Sequence, residues 1–472
     1  MKLSKTEFAS YQACPKTFWL RRRRPEVIDW PPLGAMQRTQ MAEGQYVEKE
    51  SQPFVEATFG ADLARQLTFE TDTLIARADF VRMNSDGSID IFEVKASTKL
   101  KDSDGNDHIV DAAFQLLTAR RAGRTVSSIH IVHLDGEYAR AGDLDAMRLF
   151  KAVDVTAPAL ERLVELEAEI DAAAAMLAQD EIDLDGCDCR FRGANSRCDA
   201  FAYLNPNVAD ESAHYLPGIR TNRLQNWGPA FDLRDIAPDQ LTERHQLVQQ
   251  ALLTGAPIID LPAIEAFLGA VRYPVYFYDY ETTGPALPPA DGYRPYQAVP
   301  VQFSLHRLDE DALLHHAEWL SDGHGQQAQL IDQLEAAIGP AGSAMAWHKS
   351  FELGCNARLG QLHPAKAAFL ANLSERTIDL ETPFQKAYVD WGFRGSSSIK
   401  KVLPVLVPDL RYNQDEVHDG TGAVEAWSKM IGLGEGSERD ELRRQLLDYC
   451  RLDTMAMVQI FGVIQRIAGG GT

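Results

Sequence analysis

Long apolar runs are missing from this sequence. No stretch reaches the roughly 20 residues that a membrane-spanning helix needs. The first residues, MKLSKTEFASY, also lack the hydrophobic core of a signal peptide. Membrane and secreted proteins are therefore disfavoured, and we expect a cytoplasmic protein with no membrane partner. Disulfides are not expected in that compartment, although the chain has six cysteines.

Positive charge is also scarce. The 47 Lys and Arg residues are outnumbered by 68 Asp and Glu residues, which gives a formal net charge of −21. This balance argues against a protein that coats nucleic acid through bulk charge. An enzyme that acts on nucleic acid remains compatible with it, because metal-binding carboxylates add negative charge and a basic patch can be local. Arg21 and Arg22, in a run of four arginines, are candidates for phosphate contacts or else part of a solvated helix end.

Acidic residues accompany two predicted strands in the first half of the chain. Leu74–Met83 and Ile89–Ala96 predict a strand pair joined by a turn. Asp79 lies on the first strand, while Glu93 and Lys95 share one face of the second. Such carboxylates can hold a cation, and the lysine can activate water or stabilise a pentacoordinate phosphorus. A surface ion pair between Glu93 and Lys95 is the alternative interpretation.

This arrangement resembles the PD-(D/E)XK nucleases, in particular their RecB-like branch, over residues 1–205. The resemblance implies a restriction-endonuclease-like α/β core with metal ligands and catalytic residues at Asp79, Glu93, Lys95 and Gln115. Asp79 and Glu93 would bind metal, Lys95 would be catalytic, and Gln115 would belong to the helix that follows the strands. Many RecB-like members have a histidine ligand four positions after a glycine on an early helix. In this chain that offset from Gly44 falls on Glu48, which becomes a further candidate ligand.

Four cysteines bracket the same region. Cys14 precedes it, and Cys187, Cys189 and Cys198 follow it. Four thiolates suit either a [4Fe–4S] cluster or zinc. The placement resembles the iron–sulfur staple of RecB-like and CRISPR-associated nucleases, which favours the cluster and leaves zinc as the alternative. Metal at this site would tie the N-terminal helix to the end of the domain.

A second acidic set lies in the last third of the chain. PVYFYDYETTG predicts a buried strand that ends at Asp279 and Glu281, which point to one face. Neighbouring carboxylates repel each other unless a cation lies between them, and Mg²⁺ or Mn²⁺ prefers oxygen ligands. Glu352 is predicted near the start of a helix. Tyr449 and Asp453 lie four residues apart on one face of a long helix near the end of the sequence.

This second set resembles the tyrosine subclass of the DEDD superfamily of 3′→5′ exonucleases, over residues 273–467. The resemblance implies an RNase H-like α/β fold in which the four acids hold two Mg²⁺ or Mn²⁺ ions and Tyr449 orients the attacking water. The family usually has aspartate where this chain has Glu352, and Asp379, at a predicted strand end, is the rival candidate. The loop GFRGSSS and the helix after it predict a phosphate contact at Ser397 and Lys400.

Together the two ends resemble one bacterial family that joins a RecB-like iron–sulfur nuclease domain to a DEDD exonuclease-like domain. We therefore predict an α/β multidomain chain with a nuclease domain over 1–205, a helical linker over 206–270 and an exonuclease-like domain over 271–472. The predicted function is metal-dependent cleavage of DNA, single-stranded or at duplex ends, with repair or defence proteins as partners. The alternatives are an RNA-processing exonuclease and a nucleic-acid-binding module in which one or both centres are inactive.

Overall fold

Helices and sheets alternate along the whole described chain, so the predicted mixed α/β architecture is confirmed. The computed structural model describes residues 2–101, 107–228, 231–412, 417 and 419–470, and most of a polar loop predicted at 102–107 lies outside them. The first unit comprises Met1–Val208 and Pro285–Gln297, and the second comprises Ala209–Gly284 and Ala298–Thr472. Most of the predicted linker thus falls within the second unit. Among the described residues, no helix combines the length and apolar character needed to cross a bilayer.

The first unit is a mixed sheet with helices on both faces. Its elements are β1 (Leu3–Ser4), α1 (Lys5–Ala13), α2 (Pro15–Arg23), α3 (Ala35–Phe59), β2 (Leu63–Glu70), β3 (Leu74–Met83), β4 (Ile89–Lys95), α4 (His108–Arg121), β5 (Val126–Leu134), α5 (Ala146–Leu149), β6 (Phe150–Asp154), α6 (Thr156–Ala178) and α7 (Phe201–Leu204). The strand order is β1-β3-β4-β5-β6, with β2 also paired to β3. β3 and β4 are antiparallel, whereas β4 and β5 are parallel because α4 crosses between them.

Local sequence explains how this unit positions its polar residues. Ser4 caps α1 in a capping box with Glu7, so the helix begins directly after β1. Side chains alternate along β4: Ile91 packs in the core with α4 and α6, while Phe92 packs in a second core with α3. Glu93 has the same parity as Ile91 and therefore faces α4.

The second unit contains a five-stranded sheet and a separate two-stranded sheet. Its elements are α8 (Thr221–Asn226), α9 (Glu243–Thr254), β7 (Ile258–Ile259), α10 (Leu261–Gly269), β8 (Val275–Thr283), β9 (Val299–Leu308), β10 (Leu314–Leu320), α11 (Gln327–Ala337), β11 (Ser343–Ala346), α12 (Ser350–Leu362), α13 (Ala367–Glu375), β12 (Thr377–Asp379), α14 (Thr382–Lys386), β13 (Tyr388–Val389), α15 (Ile399–Leu406), α16 (Gly420–Gly432) and α17 (Ser437–Ala468). The larger sheet has the order β10-β9-β8-β11-β12, and β13 pairs with β7. β10, β9 and β8 are antiparallel neighbours, whereas β8, β11 and β12 run parallel.

The long helix α17 covers one face of this sheet. Phe277 of β8 packs edge-on against Phe461 of α17, with ring centroids 5.5 Å apart. Tyr278 and Tyr280 belong to the core on the opposite face, with α11, α12 and α13. Asp279 has the parity of Phe277, so its carboxylate points towards α17.

Candidate metal centres

The acid centre of the second unit is defined by Asp279, Glu281, Glu352 and Asp453. Asp279 and Glu281 lie near the end of β8, where ligand atoms of both residues and the Cys450 sulfur all lie within 4.8 Å of one another. Cys450 Sγ is 3.9 Å from Asp279 Oδ2. Cys450 is fully buried, and its contact with the acids was not predicted.

Helix α17 brings two further predicted residues to this centre. Tyr449 and Asp453 are both buried on α17. The Tyr412 hydroxyl donates a hydrogen bond of 2.5 Å to Asp453 Oδ1. Lys400 Nζ lies 5.4 Å from the centroid of the Tyr449 ring and 5.6 Å from that of Tyr412. Tyr412 was not predicted because it lies in an irregular segment that carries no periodic pattern.

The structure distinguishes Glu352 from its rival Asp379. Asp379 Oδ1 accepts hydrogen bonds from the backbone N–H groups of His348 and Glu381, both at 3.0 Å. Its Oδ2 accepts from Lys349 N at 3.2 Å, so this carboxylate caps the local turns. Glu352 is 3% exposed, and its Oε2 has no hydrogen-bond partner among the described residues. A buried carboxylate oxygen without a partner is costly, and a bound cation would satisfy it.

Burial and mutual repulsion make the acid centre electrostatically unfavourable without a cation. Burial, followed by the charges of Asp453 and Glu281, raises the pKa of Asp279 well above its usual range. Burial and the Asp453 charge raise the pKa of Glu281 to about 8, although Lys400 opposes them. Burial likewise raises the pKa of Glu352 to about 8 and that of Asp453 to about 6. Divalent cations favour the charged form of such groups, so this donor set suits Mg²⁺ or Mn²⁺.

Ser397 and Lys400, the two predicted phosphate contacts of the second unit, have different surroundings. Ser397 Oγ donates to Glu381 Oε1 at 2.5 Å, and its carbonyl oxygen accepts from Trp347 Nε1 at 3.1 Å. The Ser397 side chain therefore stabilises the loop before α15 through its hydrogen bond to Glu381. Lys400 lowers the pKa of both Glu281 and Asp453, after the larger effect of burial, so its charge acts at the acid centre.

The lysine centre of the first unit is defined by Asp79, Glu93 and Lys95. Glu93 is 4% exposed, and its Oε1 accepts from Lys95 Nζ at 2.9 Å and from Lys5 Nζ at 2.6 Å. Gln115 Nε2 donates to Glu93 Oε2 at 2.5 Å. Burial opposes ionisation of Glu93, but the two ammonium groups outweigh it and lower the pKa of this carboxyl. Lys5 was missed because helix α1 gives no sign of which strand it faces.

A second carboxylate holds Lys95 in place. Lys95 Nζ donates to Asp111 Oδ2 at 2.5 Å, from the first turn of α4. Burial opposes the charge of Lys95, but Glu93 and Asp111 raise the pKa of the ammonium group above its usual value. Lys95 is therefore a fixed cation with two carboxylate partners, and Asp111 is a positioning residue that the sequence did not reveal.

Asp79 is the third residue of the lysine centre. Its Oδ2 accepts the N–H of Val94 at 2.8 Å, beyond the last paired residues of β3 and β4. Gln66 Nε2 donates to Asp79 Oδ1 at 3.2 Å and to Glu48 Oε1 at 2.5 Å, so the amide lies between these two carboxylates. Burial, followed by Glu93, raises the pKa of Asp79 to about 8. Gln66 was not predicted as part of a site.

The cysteine cluster consists of Cys14, Cys187, Cys189 and Cys198. The four sulfurs lie within 4.8 Å of one another, and all four cysteines are free thiols. Thr17 Oγ1 donates to Cys14 Sγ at 3.2 Å, and Asn205 Nδ2 donates to Cys187 Sγ at 3.4 Å. These hydrogen bonds orient the sulfurs, as the hydrogen-bond partners of metal ligands commonly do. The set can bind a metal ion or an iron–sulfur cluster.

Sulfur spacing bears on the identity of that metal. Four thiolates around one tetrahedral ion, with metal–sulfur bonds of about 2.3 Å, stand about 3.8 Å apart. Cys187 Sγ and Cys198 Sγ are 3.8 Å apart. A [4Fe–4S] cluster places four irons between its thiolates, so their sulfurs must be farther apart. The present spacing fits a single ion, and the cluster that the sequence favoured stays a prediction.

The two arginines predicted to contact phosphates are engaged within the first unit. Arg21 Nη2 lies 2.5 Å from Asp199 Oδ2, and the guanidinium also stacks over the ring of Trp30. Arg22 Nη1 lies 2.5 Å from Glu7 Oε1. Their charges are therefore compensated by acids within the same unit.

Comparison with known proteins gives one match. A family model described as a domain of unknown function (DUF2779) matches residues 276–398. This stretch includes Asp279, Glu281 and Glu352 but ends before Tyr449 and Asp453. No curated protein and no solved structure matches the chain. The similarity thus covers part of the second unit and the Pro285–Gln297 segment of the first, and it names no activity.

Proposed function

We propose that this protein is a metal-dependent nuclease whose acid centre removes nucleotides from 3′ ends. The observation that carries the proposal is the convergence of four carboxylates with raised pKa values, two of them buried and two half-buried, beside a buried tyrosine and a lysine. Buried carboxylates that repel one another are stable as ligands of divalent cations. Two such cations are the usual means of hydrolysing a phosphodiester with carboxylate ligands.

Each residue of the centre has a role in this proposal. Asp279, Glu281, Glu352 and Asp453 would hold the metal ions, which activate the attacking water and stabilise the leaving oxygen when bound. Tyr449 would orient the water through its hydroxyl. Tyr412, by donating to Asp453 Oδ1, fixes the direction in which that carboxylate presents its other oxygen. Lys400 would contact the substrate phosphate as its ammonium faces the same acids.

Strand order supports the fold assignments behind this proposal. An antiparallel β10-β9-β8 meander continued by parallel β11 and β12 is the order expected of an RNase H-like sheet. In the first unit, the β3-β4 hairpin followed by α4 and parallel β5 is the order expected of a PD-(D/E)XK core. DNA is the preferred substrate of the proposal and RNA the alternative.

The lysine centre is proposed as a second nuclease centre, with a binding role as its competing function. Asp79 and Glu93 would supply metal ligands, and Lys95 would stabilise the developing charge on phosphorus. The contact of Lys5 with Glu93 and the position of Gln66 between Glu48 and Asp79 favour the competing function, in which this unit grips nucleic acid without cutting it.

Cleavage assays with variants of each centre test these proposals. A DNA strand labelled at its 5′ end, incubated with Mg²⁺ or Mn²⁺, should give a ladder of progressively shorter products. Asp279→Asn should abolish the ladder, while any internal cleavage that persists should be lost in Lys95→Met. Asp409→Asn, an exposed acid of the second unit, is the matched control and should cleave as the wild type does. If DNA and RNA both remain intact with either metal, the nuclease proposal is wrong.

For the cysteine cluster we propose a structural metal that joins α2 to the 3-10 turns after α6. Metal analysis of protein purified without added metal distinguishes the two candidates: one zinc per chain supports the single ion, and four irons with visible absorbance support the cluster.

A further inference from the structure

An arginine-rich pocket lies in the second unit, away from the residues assigned so far. It has a volume of about 480 Å³ and is lined by residues of α8, α9 and the turn before α8. We name it the arginine pocket after Arg220, Arg223 and Arg244, which line it together with Asn222 and Thr242. Its sequence lies in the region predicted as a helical linker, 206–270.

The three guanidinium groups lack the acidic partners that arginines have elsewhere in this unit. Arg443 Nη1 lies 2.8 Å from Asp322 Oδ1, as an example of a paired arginine. In the described part of the chain, by contrast, no carboxylate lies within ion-pair distance of Arg220, Arg223 or Arg244. Arg223 Nη1 donates to the Gln240 carbonyl at 2.8 Å, which holds its side chain at the pocket wall. In a chain of net charge −21, three arginines without acidic partners around one concavity indicate an anionic ligand.

A buried histidine narrows the chemistry of that ligand. His245 lines the pocket, is 7% exposed, and has its Nε2 3.0 Å from the Pro217 carbonyl oxygen. Because a carbonyl only accepts, Nε2 carries the proton and Nδ1 of the neutral ring is an acceptor. Nδ1 has no partner among the described residues. Burial lowers the pKa of His245 and keeps the ring neutral; the hydrogen bond to the Pro217 carbonyl opposes this effect, and the charges of Arg223 and Arg244 add smaller contributions to it. A ligand that carries a hydrogen-bond donor beside its negative charge, as a nucleic-acid strand does, would complement both the guanidinium groups and the unsatisfied Nδ1.

The pocket continues towards the loop that precedes α15. Pro217 and Arg244 line the arginine pocket and also a second groove, whose other wall includes Gly395 and Ser396. Ser397 follows directly, and α15 then carries Lys400 to the acid centre. Arg244 thus lies between the pocket and the loop that leads to Lys400 in the same unit.

We infer that the arginine pocket binds the sugar–phosphate backbone of a nucleic-acid strand whose end is presented to the acid centre. This inference rests on the proposed nuclease function for its choice of ligand. The guanidinium groups contact phosphate oxygens, and His245 Nδ1 accepts from a sugar hydroxyl or a base amine. The pocket supplies sequence-independent affinity for the phosphate backbone, which the net negative charge of the chain otherwise repels.

Binding measured without cleavage tests the inference. The full chain is titrated into a fluorescent oligodeoxyadenylate of about 16 nucleotides, whose bases carry an amine, in EDTA and at several salt concentrations. Arg220→Gln, Arg223→Gln and Arg244→Gln should each raise Kd about tenfold. Each should also lower the slope of log K against log salt by about 0.7. Arg466→Gln removes an exposed arginine of the same unit and should leave Kd and slope unchanged.

The outcomes separate this inference from the proposed function. Arginine-dependent binding by a protein that cuts nothing supports the pocket and refutes the nuclease. Cleavage by the wild type, with pocket variants that bind like Arg466→Gln, refutes the pocket alone. A wild type that does not bind the oligonucleotide in EDTA also refutes the pocket. Unchanged melting temperatures of the variants show that any loss of binding is local, as expected for exposed arginines.

Discussion

Replacing one carboxylate of the acid centre by its amide should stabilise the metal-free protein. Ligand atoms of Asp279 and Glu281 lie within 4.8 Å of each other. Two unit charges at that separation repel each other by about 3 kcal/mol at an effective dielectric constant of about 20. Unfolding separates the charges and removes the repulsion. We therefore expect Asp279→Asn to raise the free energy of unfolding by about 3 kcal/mol, whereas an average substitution lowers it.

The sign of this effect depends on pH. The folded-state pKa of Glu281 is about 8 and that of Asp279 is also raised, so the charged forms destabilise the folded protein. The penalty is absent below the unfolded-state pKa of about 4 and grows as pH rises through the folded-state values. The difference between wild type and Asp279→Asn should therefore be largest near pH 9, roughly one unit above the folded-state pKa of Glu281, and should vanish near pH 4, about the unfolded-state pKa.

Thermal unfolding in a chelator, followed by circular dichroism, measures the difference. For a unit of this size, about 3 kcal/mol corresponds to a rise in Tm of roughly 6–12 °C. Asp409→Asn should leave Tm unchanged. Mn²⁺ at about 100 times its Kd should then stabilise the wild type by about 2.7 kcal/mol and the variant far less. A variant that is less stable than the wild type in chelator, or that gains as much from Mn²⁺, would refute the assignment of Asp279 and Glu281 as one metal site.

Three further substitutions test other parts of the structure. Cys189→Ser should lower the metal content of the purified protein and reduce Tm by several degrees, and full metal retention measured by elemental analysis would contradict the cysteine cluster. Lys95→Met leaves Glu93 with one ammonium partner fewer and should lower the free energy of unfolding in urea by about 1–3 kcal/mol. An unchanged urea midpoint would mean that Lys95 does not pair with Glu93 and Asp111. Asp90→Asn removes the negative charge that pairs with Arg82, whose Nη2 lies 2.6 Å from Asp90 Oδ2. Burial opposes the charge of Asp90, but the hydrogen bonds from Ser128 and Arg82 outweigh it and lower the pKa of Asp90. At neutral pH the substitution should therefore lower the free energy of unfolding by about 1–3 kcal/mol. This difference between wild type and variant should disappear as pH falls below the unfolded-state pKa of about 4.

The sequence predicted those site residues that lie on strongly patterned elements. Leu74–Met83 is a strand as predicted, and Asp79 lies on it next to Glu93. Side-chain alternation along β8 explains why Asp279 and Glu281 face α17, where the four-residue spacing of Tyr449 and Asp453 places both on one side. In each case a periodic apolar pattern fixes the direction of the polar residue, so local sequence is sufficient.

Residues without such a pattern were missed for a physical reason. Half of the residues of β2 are exposed, and the polar Arg65 interrupts the alternation of Leu63, Leu67 and Phe69, so neither the strand nor Gln66 was predicted. Lys5 and Glu93 are separated by 88 positions, and their contact depends on how α1 packs on the sheet. The segment Pro285–Gln297 lies within the range predicted for the exonuclease-like domain, yet it belongs to the first unit, where the Tyr296 hydroxyl donates to the Ala96 carbonyl at 2.6 Å. Long-range packing of this kind leaves no local signal.

The two centres differ in how their negative charge is balanced, and this difference predicts how they bind metal. At the lysine centre, Lys5 and Lys95 already neutralise Glu93, so a divalent cation must displace an ammonium group to reach that carboxylate. At the acid centre, Asp279 and Glu281 repel each other and a cation relieves the repulsion. Mn²⁺ should therefore fill the acid centre at lower concentration. Calorimetric titration should show a tight class of sites that Asp279→Asn removes and a weak class that Lys5→Met strengthens, because that substitution frees Glu93 for the metal. A single class unaffected by either substitution would mean that charge balance does not set metal affinity in this protein.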